Sequence, residues 1–274
     1  MLELNHGFRV VDCNAWLPVA GDEVEAGAEA LEREMHQAGV VRAVVYPGPH
    51  GVAVVDDEPD GYLRANNAVA RGTVERPLVA FARLSGPRDP GGGPVSRVRN
   101  VAARREDAHT SPEDVREYAY DDRFHGFKLD PAHDGLPDEE TLEALADAGL
   151  PVLVHAGEGF PPDRAAAELA ERGLPVILAH FGGYPLDRQA MERTLTLLAR
   201  HDDLYVDTSA VRYRSTLEQA LREHPDRVLF GSGAPTVHSN VAVMEVLTLD
   251  VPEDAMTRVF AKNAARVVEA LGPS

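Results

Sequence analysis

Eight short apolar runs, separated by segments of helical periodicity, constrain the fold of this chain more than any other feature. They are "FRVVD" (8–12), "VRAVVYP" (41–47), "LVAFARL" (78–84), "HGFKLD" (125–130), "PVLVHA" (151–156), "PVILAHF" (175–181), "LYVDTS" (204–209) and "RVLFGS" (227–232). Each has the length and the valine, leucine and phenylalanine content of a buried strand. Between them lie "EAGAEALEREMHQAG" (25–39), "DEETLEALADAG" (138–149), "PDRAAAELAERG" (162–173) and "LDRQAMERTLTLLARH" (186–201), whose apolar residues recur every three or four positions. Gly39, Gly149 and Gly173 end three of these segments, where glycine can take the left-handed conformation that closes a helix. Strands alternating with helices pair in parallel, and eight such units predict a closed (β/α)8 TIM barrel, one domain over residues 1–274. An open doubly wound sheet is the alternative.

Composition narrows the function. A hydrophobic fraction of 44% over 274 residues fills a sizeable core. The formal charge of -18 excludes the concentrated basic face that a nucleic acid or an anionic membrane needs. A single cysteine, Cys13, excludes an intramolecular disulfide and a cysteine-cluster metal site, in keeping with a reducing cytoplasm. The first residues, "MLELNHGFRV", lack the basic and apolar regions of a leader, and no apolar run reaches spanning length. The expected setting is cytoplasmic, with a small-molecule substrate.

Two loops read as lids from their glycines and prolines: "GPHGVAVVDDEPDG" (48–61) and "SGPRDPGGGP" (85–94). The second leads into "VSRVRNVAARRED" (95–107), whose Arg97, Arg99, Arg104 and Arg105 read as a solvated helix face. Only two of the 27 basic residues are lysines, Lys128 and Lys262.

Polar residues stand where barrel chemistry needs them. Lys128, His155, His180 and Asp207 lie at or near the C-terminal ends of four different apolar runs, and those ends form the mouth at which barrel enzymes place their sites. Any one of them alone reads as a satisfied rim residue; four converging on one mouth predict a site. His155 and His180 can serve as an acid/base pair. Lys128 is either neutralised by Asp130 or Asp207, or free to orient an anion or to form a Schiff base. Trp16, Phe160, Phe181 and Tyr184 can wall an aromatic pocket, while His50 and His238 are weaker candidates on the mouth side.

Read together, "NNAVARGTVERPLVAFARL", "HGFKLDP", "GLPVLVHAGEG", "LPVILAHFGGYPLD", "LYVDTSA", "DRVLFGSGAP" and "KNAARVV" resemble the amidohydrolase-related branch of the amidohydrolase superfamily, which includes the aminocarboxymuconate semialdehyde decarboxylase-like enzymes. The resemblance runs in order from residue 8 to 268 and is least clear over 86–120. It implies a divalent metal, usually zinc, held by an Asp-x-His-x-His motif after the first strand, a histidine after the fifth and an aspartate after the eighth. It also implies an acid/base histidine after the sixth. Carried over, the fifth-strand ligand is His155 and the sixth-strand histidine is His180. The first motif, however, reads "DCNAW", and the usual "GSDxP" reads "GSGAP".

Asn14 and Trp16 therefore occupy the two histidine positions, and Gly233 that of the aspartate. Catalytic zinc normally takes three protein ligands, and here one of the family's set remains. The expectation is no cofactor and no metal ligand, with zinc only at an atypical site built from His155, His180 and Glu158 or Asp207. Period-two alternation puts Asn14 and Trp16 on the side of Asp12 and turns Cys13 toward the helices. Asn14, Trp16, Tyr184, Phe160 and His238 are then expected to bind substrate around His155, His180, Lys128 and Asp207. The chemistry within reach is cyclisation, dehydration, isomerisation or decarboxylation of a small carbonyl-bearing molecule. A catalytically inactive binding protein and a metal hydrolase with atypical ligands are the alternatives. Relatives in this family often form dimers, so the resemblance offers a homodimer as one assembly and leaves the oligomeric state open.

Overall fold

In the computed structural model, which describes residues 3–19, 23–48 and 61–273, eight parallel strands follow one another around a barrel in chain order. They are β1 (Val10–Leu17), β2 (Val40–Pro47), β3 (Leu78–Leu84), β4 (Phe124–Leu129), β5 (Val152–Gly157), β6 (Val176–Tyr184), β7 (Leu204–Asp207) and β8 (Val228–Leu229). The chain beyond β8 completes the wall against β1. The Cys13 amide donates to the Phe230 carbonyl (2.9 Å), the Trp16 amide to the Ala234 carbonyl (2.9 Å), and the Gly233 amide to the Asn14 carbonyl (2.8 Å). This is the expected single-domain (β/α)8 barrel.

Helices fill the crossovers where the periodicity placed them, including 23–38, 139–148, 162–168 and 188–198. Gly39, Gly149 and Gly173 all take positive φ, at 71°, 66° and 78°. β8 is shorter than its apolar run: after Leu229 the chain bonds to the Val259 carbonyl and to β1 in place of a regular ladder.

Alternation along the strands divides the core into two layers. Val44, Phe81, Leu153, Ile177 and Leu229 pack inside the barrel, whereas Val45, Ala82, Leu129, Val154 and Leu178 pack outward under the helices. The C-terminal segment closes the lower end, where Arg42 donates to the carbonyls of Ala270 (2.6 Å) and Gly272 (3.1 Å). Toward the upper end, above the inner apolar layer, the side chains turn polar.

The alternation breaks in β1, one of several places where the register shifts. β1 shifts register between Asp12 and Ala15, an irregularity that puts an extra residue on one side. Cys13 consequently packs inside the barrel with Val11, Val44 and Phe81, not toward the helices as alternation predicted. Its thiol is fully buried, and burial first, then the Asp207 and Asp12 charges, pushes its pKa well above the ordinary value. Asn14 and Trp16 still face the mouth.

Candidate active site

The polar layer is built by register. Arg83 on β3 pairs with Lys128 on β4, and one residue pair further round, His155 on β5 pairs with Ala179, next to His180 on β6. With Asn14, Trp16 and Tyr46 they line a cavity of about 930 Å³ at the C-terminal mouth, together with Phe160, Tyr184, Glu158, Asp130 and His133.

A hydrogen-bond network fixes the floor. The Asn14 side-chain amide donates to Asp207 Oδ2 (2.7 Å) and to Ser209 Oγ (3.0 Å), while its carbonyl oxygen accepts from the Tyr46 hydroxyl (2.7 Å). Asp207 is fully buried and does not line the cavity. Its Oδ1 accepts the backbone N–H groups of His180 and Ser209, each at 2.9 Å, and the Ser209 hydroxyl. Asp207 thus lies beneath the cavity with both oxygens engaged, tying Asn14, Ser209 and the His180 backbone together. His180 and Phe181 both sit at positive φ, 57° and 56°. Such backbone costs on the order of 1–3 kcal/mol per residue and persists where surrounding contacts hold it, here the bond to Asp207.

The same network assigns a proton. Ser209 gives its single hydrogen to Asp207 and accepts one from Asn14, so its contact with His180 Nδ1 at 2.9 Å requires the ring to donate. His180 Nδ1 also lies 3.2 Å from the Ser209 carbonyl, which can only accept. The proton is therefore on Nδ1, and Nε2 carries a bare lone pair.

Charges around the mouth are unevenly matched. Arg83 is 2% exposed, and its guanidinium makes a two-point bond to Asp134 at 2.7 and 2.9 Å. Asp134 also holds His133 Nδ1 at 2.7 Å. Lys128 is 3% exposed, and its Nζ has no hydrogen-bond partner among the described residues; neither Asp130 nor Asp207 pairs with it. Nζ lies 5.0 Å from the centroid of the Tyr46 ring. Burial lowers the Lys128 pKa from 10.5 to about 8, with Asp130 opposing and Arg83 reinforcing the shift. Burial, and then the Lys128 and His180 charges, lowers His155 to about 2, and burial lowers His180 as well. Both imidazoles are neutral at physiological pH. Lys128, brought down to about 8, and His133, raised by its bond to Asp134, are lining groups whose shifts carry them toward neutrality.

Of the residues singled out in the sequence, the structure brings together Asn14, Trp16, Lys128, His155, Phe160, His180 and Tyr184. The His155 and His180 rings lie 4.7 Å apart, and the Tyr184 ring 4.4 Å from His155. The Trp16 indole N–H donates to Thr236 Oγ1 (3.2 Å). His238 lies outside: its Nδ1 accepts the Asn240 N–H (3.2 Å) and caps the helix 239–247. His50 and most of the 48–61 loop lie outside the described residues. None of Arg97, Arg99, Arg104 and Arg105 lines the cavity. Arg83, Tyr46 and His133 were missed; for Arg83 the signal was available, a charge inside the apolar run "LVAFARL".

Comparison with known proteins follows from this geometry. An amidohydrolase family model matches residues 92–269. A comparison with curated protein sequences returns no match. Among solved structures the chain is similar to 2,6-dihydroxybenzoate decarboxylase from Rhizobium, with TM-score 0.65 and 17% identity over 97% of this chain and 100% of that one. It is also similar to 5-carboxyvanillate decarboxylase from Sphingomonas paucimobilis, with TM-score 0.63 and 17% identity over 96% and 99%. A dihydroxybenzoic acid decarboxylase from a Polaromonas species, solved with manganese and the inhibitor 2-nitroresorcinol, gives TM-score 0.65 and 15% identity over 97% and 98%.

The manganese in that structure and in two of 5-carboxyvanillate decarboxylase corrects the expectation of no cofactor, since it points to a metal. The donor set here does not match one. Among the described residues no group of three or more His, Cys, Asp or Glu side chains could hold a metal ion. His155 and His180 stand together, but the adjacent Asp207 is engaged through both oxygens, and Asn14 spends its amide on Asp207 and Ser209. With the barrel, the ordered motifs and the family match over well more than half of its length, the chain belongs to the amidohydrolase family.

Proposed function

We propose that this protein is a lyase that releases carbon dioxide from a small carbonyl-bearing carboxylic acid bound at the barrel mouth. The observation that carries the reading is Lys128: a buried amine lining the cavity with no hydrogen-bond partner among the described residues. A buried ammonium without a counter-charge is costly, and a substrate carboxylate offsets it. With a pKa of about 8, the same amine can deliver a proton at neutral pH to the carbon that loses carbon dioxide. His180 Nε2, bare by the proton assignment above, accepts a hydrogen bond from a hydroxyl or enol of the substrate. Trp16, Phe160 and Tyr184 offer apolar walls to a flat molecule. The likeness to benzoate decarboxylases supports the reaction class.

The test is carbon dioxide release from a panel of hydroxybenzoates and of 2- and 3-oxo acids, with manganese(II) supplied, by wild type and Lys128→Met. Turnover of at least one acid by wild type is the expected result. A panel in which no acid of either class is turned over contradicts the reading.

A further inference from the structure

The cavity holds an amine that hydrogen bonding does not account for. Lys128 Nζ is buried, faces the 930 Å³ space, and has no hydrogen-bond partner among the described residues. No nearby acid bonds to it: Asp130 lines the same cavity and its charge acts on the amine without a hydrogen bond, Asp134 is bound to Arg83 and His133, and Asp207 to Asn14, Ser209 and the His180 backbone. Desolvation with no carboxylate bonded to Nζ shifts the balance toward the neutral amine, the nucleophilic form. The stacked Tyr46 ring and the strand register hold the side chain in place without occupying its lone pair.

We infer that Lys128 is a covalent site, whose Nζ forms an imine with the carbonyl carbon of a 3-oxo acid. The inference rests on the lyase reading, names its substrate class, and for that class replaces proton delivery by the free amine with covalent attachment to it. The Nζ lone pair attacks the carbonyl carbon, the carbonyl oxygen takes up protons and leaves as water, and a protonated imine remains. The carbon–carbon bond to the carboxylate then breaks, carbon dioxide departs, and the bonding pair moves into the imine to give an enamine. Protonation of the enamine carbon and addition of water return the ketone and the free amine. The balance is one 3-oxo carboxylate and one proton in, one ketone and one carbon dioxide out, with no oxidant or reductant.

The chain supplies its own control, because Lys262 is the only other lysine and is exposed beside Asp254. Full-length protein is incubated with acetoacetate and sodium cyanoborohydride, then read by intact mass and peptide mapping. One reduced adduct per chain on Lys128 is expected, with Lys262 unlabelled and Lys128→Arg unlabelled. Prior occupancy of the wild-type cavity by a hydroxybenzoate is expected to suppress the label, a readout that does not depend on the variant folding. Absence of label, label on Lys262 or the N-terminus alone, or label indifferent to occupancy overturns the inference. Carbon dioxide release from the acid panel without any trapped adduct overturns the imine and leaves the lyase reading standing. A trapped adduct without carbon dioxide release does the reverse.

Discussion

Replacing Lys128 by methionine is expected to make the protein more stable at pH 7 while removing the group its chemistry needs. Methionine has a similar length and an unbranched, adaptable shape, so the substitution removes the charge with little change in packing. The lysine pKa falls from 10.5 to about 8 on folding, chiefly by burial. At ~1.36 kcal/mol per pKa unit, holding the ammonium at pH 7 costs about 3 kcal/mol. Loss of the contact with the Tyr46 ring returns roughly 0.5–2 kcal/mol of that, leaving a net gain of about 1–3 kcal/mol. The sign with pH follows from proton binding: between pH 8 and 10.5 the unfolded chain binds more protons than the folded one, so the wild type gains stability from this group as pH rises through that window. The penalty is fully present below pH 8. Urea denaturation of both proteins from pH 7 to 10.5 reads the difference directly, and it is expected to shrink to less than about 0.5 kcal/mol at the upper end. A methionine variant no more stable than wild type at pH 7, or a gap that does not close with pH, refutes the picture of an unpaired buried ammonium.

Three further outcomes follow from the same network. Asp134→Ala leaves the Arg83 guanidinium buried without its carboxylate and is expected to cost about 3–5 kcal/mol in chemical denaturation; a loss below about 1 kcal/mol would mean water or a neighbour replaces it. Nitrogen-15 NMR of the histidine side chains is expected to show His180 neutral with its proton on Nδ1, and Ser209→Ala to change that signal; a proton found on Nε2 contradicts the assignment. Gly233→Ala is expected to lose about 1–2 kcal/mol in thermal or urea melts, because φ there is 73° although a Cβ would meet only Ser209 Cβ at 3.6 Å. No loss would show that the backbone at Gly233 relaxes.

Much of the barrel was legible because its signal is local. Eight valine- and leucine-rich runs and three terminal glycines mark strands and helix ends within a few residues of where they lie. The convergence of Lys128, His155 and His180 was legible for the same reason, since the end of a strand locates a side chain at the mouth. What the residues do there depends on partners far away in the chain. Asn14, seen in sequence only as a lost ligand, cross-links Asp207, Ser209 and Tyr46, and so fixes the tautomer of His180. Cys13 was turned the wrong way because alternation cannot register the irregularity between Asp12 and Ala15. His155 looked like a base; enclosure beside Lys128 and Arg83 leaves it neutral with little affinity for a proton. The absence of a cofactor, inferred from three missing ligands, was corrected by manganese in similar decarboxylases, a fact that no single chain carries.

The central claim is that Lys128 is the group through which this barrel removes a carboxylate. It is tested most directly by kcat/KM for carbon dioxide release from whichever acid of the panel the wild type turns over, compared with Lys128→Met under the same conditions. A fall of about 100-fold or more, the ordinary contribution of a positioned acid/base group, is the predicted result. Activity within about threefold of wild type contradicts it, since ~0.7 kcal/mol of transition-state stabilisation is too little for the group that meets the substrate.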